Sequence, residues 1–211
     1  MLVTTDAIVL LLQPQSDKAF TLHAYTRMYG RVNYKVYGLG RRHAIGLYTP
    51  LSLLRITADH SPSKPPTLKE ATRVTTPQVN DIDTNIRKQT VVLFISEILY
   101  NVLRHPMQDE PMFDFLVEAI TNLQSPEANL QSSISNFHLH FLVDFAAKLG
   151  FAIPENQSPM SNIQYPISNV QTPITRQARQ QALRALCDYF AEHVETWQHP
   201  KSLDVLIEVF D

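Results

Sequence analysis

The sequence predicts a two-part α+β protein: a small closed barrel of five strands, then an all-α region. Three observations predict it. Apolar residues alternate with a period of two through the first part of the chain and with a helical period through the rest. Turn residues recur at close spacing only in the first part, as short barrel strands require. Charge divides at the same place. Met1–Arg73 carries ten Lys+Arg against four Asp+Glu, a net +6, and the remainder carries eight against sixteen, a net −8, which together give the overall −2. The expected boundary is 78/79, with residues 1–78 forming the barrel and 79–211 the helical domain. At 211 residues and 44% hydrophobic, the chain is long enough to bury a substantial core.

Taken in order, "AIVLLLQ" (Ala7–Gln13) is a largely apolar run and reads as the first strand. "KAFTLHAYT" (Lys18–Thr26) puts Phe20, Leu22 and Ala24 on one face and Thr21, His23 and Tyr25 on the other. "RVNYKVYG" points Val32, Tyr34 and Val36 inward and Arg31, Asn33, Lys35 and Tyr37 outward. "PLSLLRIT" (Pro50–Thr57) and, past the breaker "HSPSKPP", the weaker "TLKEATRVT" supply the last two strands. In the helical part, "TNIRKQTVVLFISEILYNVLRH" offers Thr84 as a cap, a stripe from Val91 through Leu103, and Pro106 as a stop. "PMFDFLVEAITNL" opens on Pro111, and "SISNFHLHFLVDFAAKLGF" ends at Gly150, where a left-handed cap is expected. "TRQARQQALRALCDYFAEHV" and the short "SLDVLIEVF" complete the set.

Enzymatic chemistry finds little support. Gly38–Gly40 is part of a dinucleotide fingerprint, but the third glycine and the βαβ unit are missing, and there is no P-loop, zinc-protease pair or nucleophile elbow. His138 and His140 stand two apart, so on a helix they face different directions and cannot share an ion. Cys187 is the only cysteine and falls among Leu183, Leu186 and Phe190 at helical spacing, which reads as a buried small hydrophobe. Trp197 reads as a core anchor or an exposed docking ring. No metal, cofactor or catalytic residue is expected. The start, "MLVTTDAIVLLLQPQ", reads as a strand rather than a signal peptide. With no apolar run near the roughly 20 residues of a membrane helix, the expected location is the cytoplasm, away from the membrane.

The stretch "YGRVNYKVYGLGRRH" (Tyr29–His43) stands apart, because it gathers glycines, rings and cations in a protein that has only five glycines. Cations interleaved with aromatic faces on a small barrel suit phosphates and unstacked bases. Arg27, Arg31, Lys35, Tyr37, Gly38, Gly40, Arg41 and Arg42 are the candidate DNA-binding residues, with the glycines letting backbone amides approach a phosphate. The competing readings are an ordinary solvated strand face, or a barrel that grips an acidic protein partner and never touches DNA directly.

Read together, "AFTLHAYTRMYGRVNYKVYGLGRR", "ILYNVLRH", "MFDFLVEAI", "FHLHFLVDFAAKLGF" and "SLDVLIEVF" resemble, in order and spacing, the RecO family of bacterial DNA repair proteins. The resemblance implies an OB-fold followed by a helical domain. It also implies a recombination mediator that binds single- and double-stranded DNA, anneals complementary strands, engages the C-terminal tail of the single-strand-binding protein SSB, and works with RecR to help RecA load in DNA repair. Such a protein would be cytoplasmic and associated with the nucleoid. The family's helical domain binds SSB's acidic, Phe-ending tail, and Arg176, Arg179 and Arg184, clustered positive charges in the acidic half, are the candidate residues here. Many members carry a four-cysteine zinc module after the "KLGF" helix. The matching "AIPENQSPMSNIQYPISNVQTPI" has no cysteine, so the helical domain is expected to stay metal-free.

Overall fold

The computed structural model describes residues 1–38, 46–61, 63–74, 85–125, 131–154 and 175–210, with the side chains of 131–133 excluded. The five strands are β1 (Leu2–Ser16), β2 (Ala19–Thr26), β3 (Gly30–Tyr37), β4 (Leu53–Asp59) and β5 (Thr67–Arg73), with a 3₁₀ turn at Gly46–Tyr48 before β4. They close in the order β1-β2-β3-β5-β4. Among the described residues five helices follow: α1 (Ile86–Val102), α2 (Glu110–Gln124), α3 (Gln131–Lys148), α4 (Arg176–His193) and α5 (Leu203–Val209). The fold class is thus the expected one, a closed five-stranded barrel of OB type followed by helices.

β1 is longer than the apolar run alone suggests because it serves two neighbours. Ala7–Ser16 pairs antiparallel with β2, and Leu2–Ile8 pairs with β4. Between the two halves the register with β2 shifts at Val9/Leu11, a bulge that lets the strand bend around the barrel. The early residues "LVTTD" alternate exposed and buried, with Val3 and Thr5 inward. The barrel core is Ala7, Val9, Leu22, Ala24, Tyr34, Val36, Tyr48, Leu54, Ile56, Ala58 and Leu68. Tyr34 is fully buried with its hydroxyl 3.2 Å from His60 Nε2, which satisfies the phenol inside the apolar interior.

The chain divides into two compact units, and the division does not follow the sequence in one cut. One unit holds Met1–Gln78 together with Ile95–Asn122; the other holds Val79–Phe94 and Leu123–Asp211. Within the first unit, the face of β2 opposite the barrel core is covered too. His23 and Tyr25 are buried, with the Tyr100 ring edge-on to His23 at 5.2 Å and Phe113 stacked on Tyr25 at 6.3 Å. Burial and the nearby charge of Asp109 push the Tyr25 phenol up to about 12. Within the second unit, Phe141, Phe145 and Phe190 stack in sequence at 5.5 and 6.0 Å, and Trp197 lies tilted over Phe190 at 5.3 Å. Cys187 is buried in α4, and burial holds its thiol up to about 12, the inert state expected of it.

Helix ends follow local chemistry. Thr84 lies outside the described residues, and α1 is capped by Asn85, whose Oδ1 accepts from Arg87 N and Lys88 N at 3.1 and 3.3 Å. Asp109 caps α2 by accepting from Met112 N at 2.9 Å. α3 ends as expected: Gly150 takes φ +91°, Phe151 N–H donates to Ala146 O at 3.1 Å, and Gly150 N–H donates to Ala147 O at 3.1 Å. Thr175 caps α4 through Ala178 N.

Two glycines of the basic stretch differ in what surrounds them. Both Gly30 (φ +59°) and Gly38 (φ +80°) sit in the left-handed region. A Cβ at Gly30 would collide with the carbonyl of Met107, whereas one at Gly38 meets nothing within 4 Å. Gly38→Ala therefore costs about 1–2 kcal/mol of backbone strain alone. Gly30→Ala adds a main-chain clash, and its loss should exceed that of Gly38→Ala clearly. Equal urea midpoints for the two variants would contradict the close approach at Met107.

Candidate functional site

The eight residues expected to meet DNA fall into three groups. Gly40, Arg41 and Arg42 lie outside the described residues. Lys35 and Tyr37 alternate outward on β3 as the pleat requires, and Tyr37 is 59% exposed. Gly38 follows at positive φ, with its N–H donating to Lys18 O at 3.3 Å.

Arg27 and Arg31 both have partners inside the first unit. Arg31 donates to Tyr100 O at 3.3 Å and Leu103 O at 3.5 Å, and its guanidinium lies 4.4 Å from the Tyr100 ring centroid. The carbonyls at the end of α1 have no partners within the helix, and a cation there also suits the helix dipole. Burial lowers the arginine's pKa, opposed by Tyr100. Arg27 pairs with Asp114 at 2.6 Å and lies 4.6 Å over the Phe113 ring. Parity along β3 places Arg31 outward correctly, but outward here means toward Tyr100. What sequence periodicity lacks is the identity of the layer covering that face.

The segment "TRMYGR" (Thr26–Arg31) also acquires a physical reason. The Thr26 hydroxyl accepts from Tyr29 N–H at 3.1 Å and donates to Gly30 O at 3.1 Å, which shapes the β2–β3 turn. Gly30 permits the approach of Met107, and Arg31 N–H donates to His105 O at 3.3 Å. His23 joins the same cluster: Nδ1 lies 2.7 Å from Asn33 Oδ1 and 3.3 Å from the Arg31 guanidinium. Burial lowers its pKa, Asn33 raises it, and Arg31 lowers it further.

Two cations missed by sequence reasoning flank the exposed part of β3. β3 lies between β2 and β5, with Tyr37 opposite Ala19 and Lys35 opposite both Thr21 and Thr67. The β1–β2 turn, carrying exposed Lys18, therefore adjoins one side. The β4–β5 loop, carrying exposed Lys64, adjoins the other, where Lys35 N–H donates to Pro66 O at 2.8 Å. In small barrels of this type the β2–β3 face and these two loops form the surface available to single strands. The signal was present in Lys18, read only as the start of the second strand, and in "SPSKPP", read only as part of a chain breaker. Arg55 and Arg73 are engaged elsewhere, by Asp6 at 2.9 Å and by Gly46 O at 2.9 Å.

In the second unit, Arg176 and Arg179 line one shallow hollow with His138, Gln180, Leu183, Leu206, Ile207 and Phe210, with room for little more than a water molecule and open to solvent. Arg179 is braced by Asn136, whose Oδ1 accepts from Nε at 3.2 Å. Arg184 is exposed and is not among the residues lining the hollow, so the structure brings two of the three arginines together. Of the histidine pair, His138 is 1% exposed and His140 is half-buried. Among the described residues, no group of three or more His, Cys, Asp or Glu is placed to hold a metal ion. A four-thiolate zinc site does not fit this chain, whose single cysteine is buried in α4. Residues 155–173, where the zinc module would fall, lie outside the described residues. Among the described residues, no helix is long and apolar enough to cross a membrane.

The two kinds of cation should separate in a stability measurement. Arg31→Ala loses charged hydrogen bonds and a stacked ring and should cost about 2 kcal/mol. Lys35→Ala and Lys18→Ala should each stay within about 0.5 kcal/mol of the parent. An isostable Arg31→Ala in urea titration would return Arg31 to the solvated surface.

Comparison with known proteins gives one consistent result. Residues 83–159 match the family model described as recombination protein O C terminal. The chain is 29% identical over 245 aligned positions to the DNA repair protein RecO of Flavobacterium johnsoniae, with the whole of both chains covered. It is 26% identical to RecO of Porphyromonas gingivalis and 27% identical to RecO of Christiangramia forsetii, again over the full length of each. The barrel-then-helices order and the match in the helical part point the same way, and over its whole length this chain is similar to the RecO proteins of DNA repair.

Proposed function

We propose that this chain is a recombination mediator in DNA repair, working without catalysis in the cytoplasm at the nucleoid. It binds single- and double-stranded DNA through the barrel, anneals complementary strands, and with RecR and SSB promotes RecA loading. The observation that carries the reading is the exposed edge around β3. Lys35 and Tyr37 point outward between two loops that carry Lys18 and Lys64. Cations on loops to either side of an exposed ring suit a strand whose phosphates are held while a base stacks. Arg41 and Arg42 extend the charge in sequence beyond Gly38. Arg27 and Arg31 contribute by fixing the scaffold, since both are already engaged within the first unit.

The hollow in the second unit supports the partner side of the reading. An acidic, Phe-ending tail suits a rim of Arg176 and Arg179 around Leu183, Leu206 and Phe210. Arg184, exposed outside the hollow, serves at most as a peripheral cation there.

Annealing of two complementary oligonucleotides coated with SSB tests the reading, which expects acceleration by the wild-type protein. Replacing Lys18, Lys35 and Lys64 together by alanine should lower the log–log salt slope of single-strand binding by about 2, at roughly 0.7 per phosphate contact. Tyr37→Ala should weaken binding by about 1–3 kcal/mol and leave the slope nearly unchanged, because stacking releases no counterions. An unaltered slope in a folded triple variant would move the DNA path elsewhere on the barrel. Absence of DNA binding with SSB binding intact would favour the adaptor alternative. For the hollow, Arg176→Ala with Arg179→Ala should weaken a labelled tail peptide at least tenfold by fluorescence anisotropy, at about 1.5–3 kcal/mol per charged hydrogen bond, while Arg184→Ala leaves it nearly unchanged.

A further inference from the structure

We infer that Pro14 guards an open strand edge: its missing N–H keeps the distal half of β1 from pairing with the same segment of a second copy of this chain. Three observations carry it. The first is that β1 loses one of its two neighbours partway along. β4 pairs with Leu2–Ile8, and beyond that Val9 alone reaches Leu51 and Ser52. Among the described residues, Leu11–Ser16 makes backbone hydrogen bonds to β2 only. An edge left open in this way is a template for another strand. The second observation is composition. Ala7–Ser16, "AIVLLLQPQS", carries no charge, and "AIVLLLQ" is the apolar, β-prone kind of run that pairs with copies of itself. The charges that follow, Asp17 and Lys18, lie past the strand in the turn.

The third observation is where the proline nitrogen points. In an antiparallel ladder the N–H and C=O of one residue face the same neighbour, and successive residues alternate. Arg27 N–H donates to Asp6 O and Gly38 N–H donates to Lys18 O, so odd-numbered residues of β2 face β1 and even-numbered ones face β3. Pro14 stands opposite Phe20, an even-numbered residue, so the pair exchanges no hydrogen bond and the Pro14 nitrogen points to the open edge. Leu12, opposite Leu22, turns its N–H and C=O the same way. Val9, opposite Ala24, does so too, and these are the groups that bond Ser52 and Leu51. Proline at this position therefore costs the β1–β2 ladder nothing. It removes an N–H that an added strand needs, and its ring stands where that strand's backbone would lie. An antiparallel pair of copies centred on Gln13 sets Leu12 of each against Pro14 of the other, uncharged against uncharged. In that pair Leu12 donates to Pro14 and Pro14 returns no bond. The exposed side chains of Leu11 and Gln13 offer no charge to keep copies apart, which leaves the task to the backbone.

The experiment compares the full chain with its Pro14→Val and Gln13→Val variants by size-exclusion chromatography with light scattering, at rising protein concentration. Both changes put the same β-branched side chain at an exposed position, but only Pro14→Val restores an outward N–H, because that of Gln13 already faces β2. Pro14→Val should self-associate at least about tenfold more tightly than wild type, from the backbone bonds regained in each pair. Gln13→Val should run as wild type does. Adding Leu11→Lys to Pro14→Val, which sets a charge on the exposed face of the edge, should reverse the association. A folded Pro14→Val no more associated than wild type overturns the inference, and so does equal association by Gln13→Val. If Pro14→Val does not fold, Pro14→Ala restores the same N–H with a smaller side chain and is read in the same way. Hydrogen exchange on wild-type protein tests the edge itself: the Leu12 amide should exchange as an unprotected one, and protection there overturns the inference whatever the variants do.

Discussion

A five-stranded barrel this small closes only because its first strand belongs to two neighbours. β1 gives its second half to β2 and its first half to β4, bending at the Val9/Leu11 register shift between them. With β1 shared, β4 carries β5 across to meet β3 at the single pairing of Lys35 with Thr67. That closure sets the β4–β5 loop on one side of β3 while β2 sets the β1–β2 turn on the other. The exposed cations are neighbours for this reason, although Lys18, Lys35 and Lys64 are far apart in sequence. Charge placement is thus a consequence of closure, and a flat sheet of the same strands would scatter it.

The same strands show how one surface divides between holding the protein together and remaining open. Near its start, β3 is tied down by Arg31 on the last carbonyls of α1 and by the Thr26–Gly30 turn. Near its end, Lys35 and Tyr37 are exposed. An arginine suits the first task because its planar fork reaches two carbonyls while its face lies on a ring, and lysine cannot do both. A lysine suits the second, being a hydrated point charge on a flexible stem. Two cations four residues apart on one strand therefore have separate roles, decided by what covers them.

Much of this was legible in the sequence. Period-two alternation placed β2 through β5 within a few residues, and the "KLGF" helix end predicted the left-handed Gly150. Resemblance carried the fold type and the family. Other features were not legible, for definable reasons. The reach of β1 depends on a partner strand some fifty residues away in sequence, which local pattern does not contain. Arg31 looked like a free cation because alternation tells in from out and cannot say whether the outer face meets water or Tyr100. Lys18 was read as a strand start and Lys64 as part of a breaker, and neither reading says anything about spatial neighbours. Arg176 and Arg179 were visible as a pair three apart on one helix. His138, on a different helix, joins them only through tertiary packing.

The outer covering of β2 bears on how the chain comes to be folded. His23 and Tyr25 are shielded by Tyr100 and Phe113, roughly eighty to ninety residues later along the chain. During synthesis all five strands leave the ribosome before either ring exists to cover them. At about 5–20 residues per second, the interval is several seconds. A barrel that can already close on its inner core keeps an incompletely covered outer face through that interval, with an aromatic and a histidine edge available to other nascent chains. Completion is non-local in the sense that slows folding, because the loop entropy is lost before the contact forms. The lag makes the earliest-made part of the protein the one most dependent on chaperones or on prompt translation through Phe113.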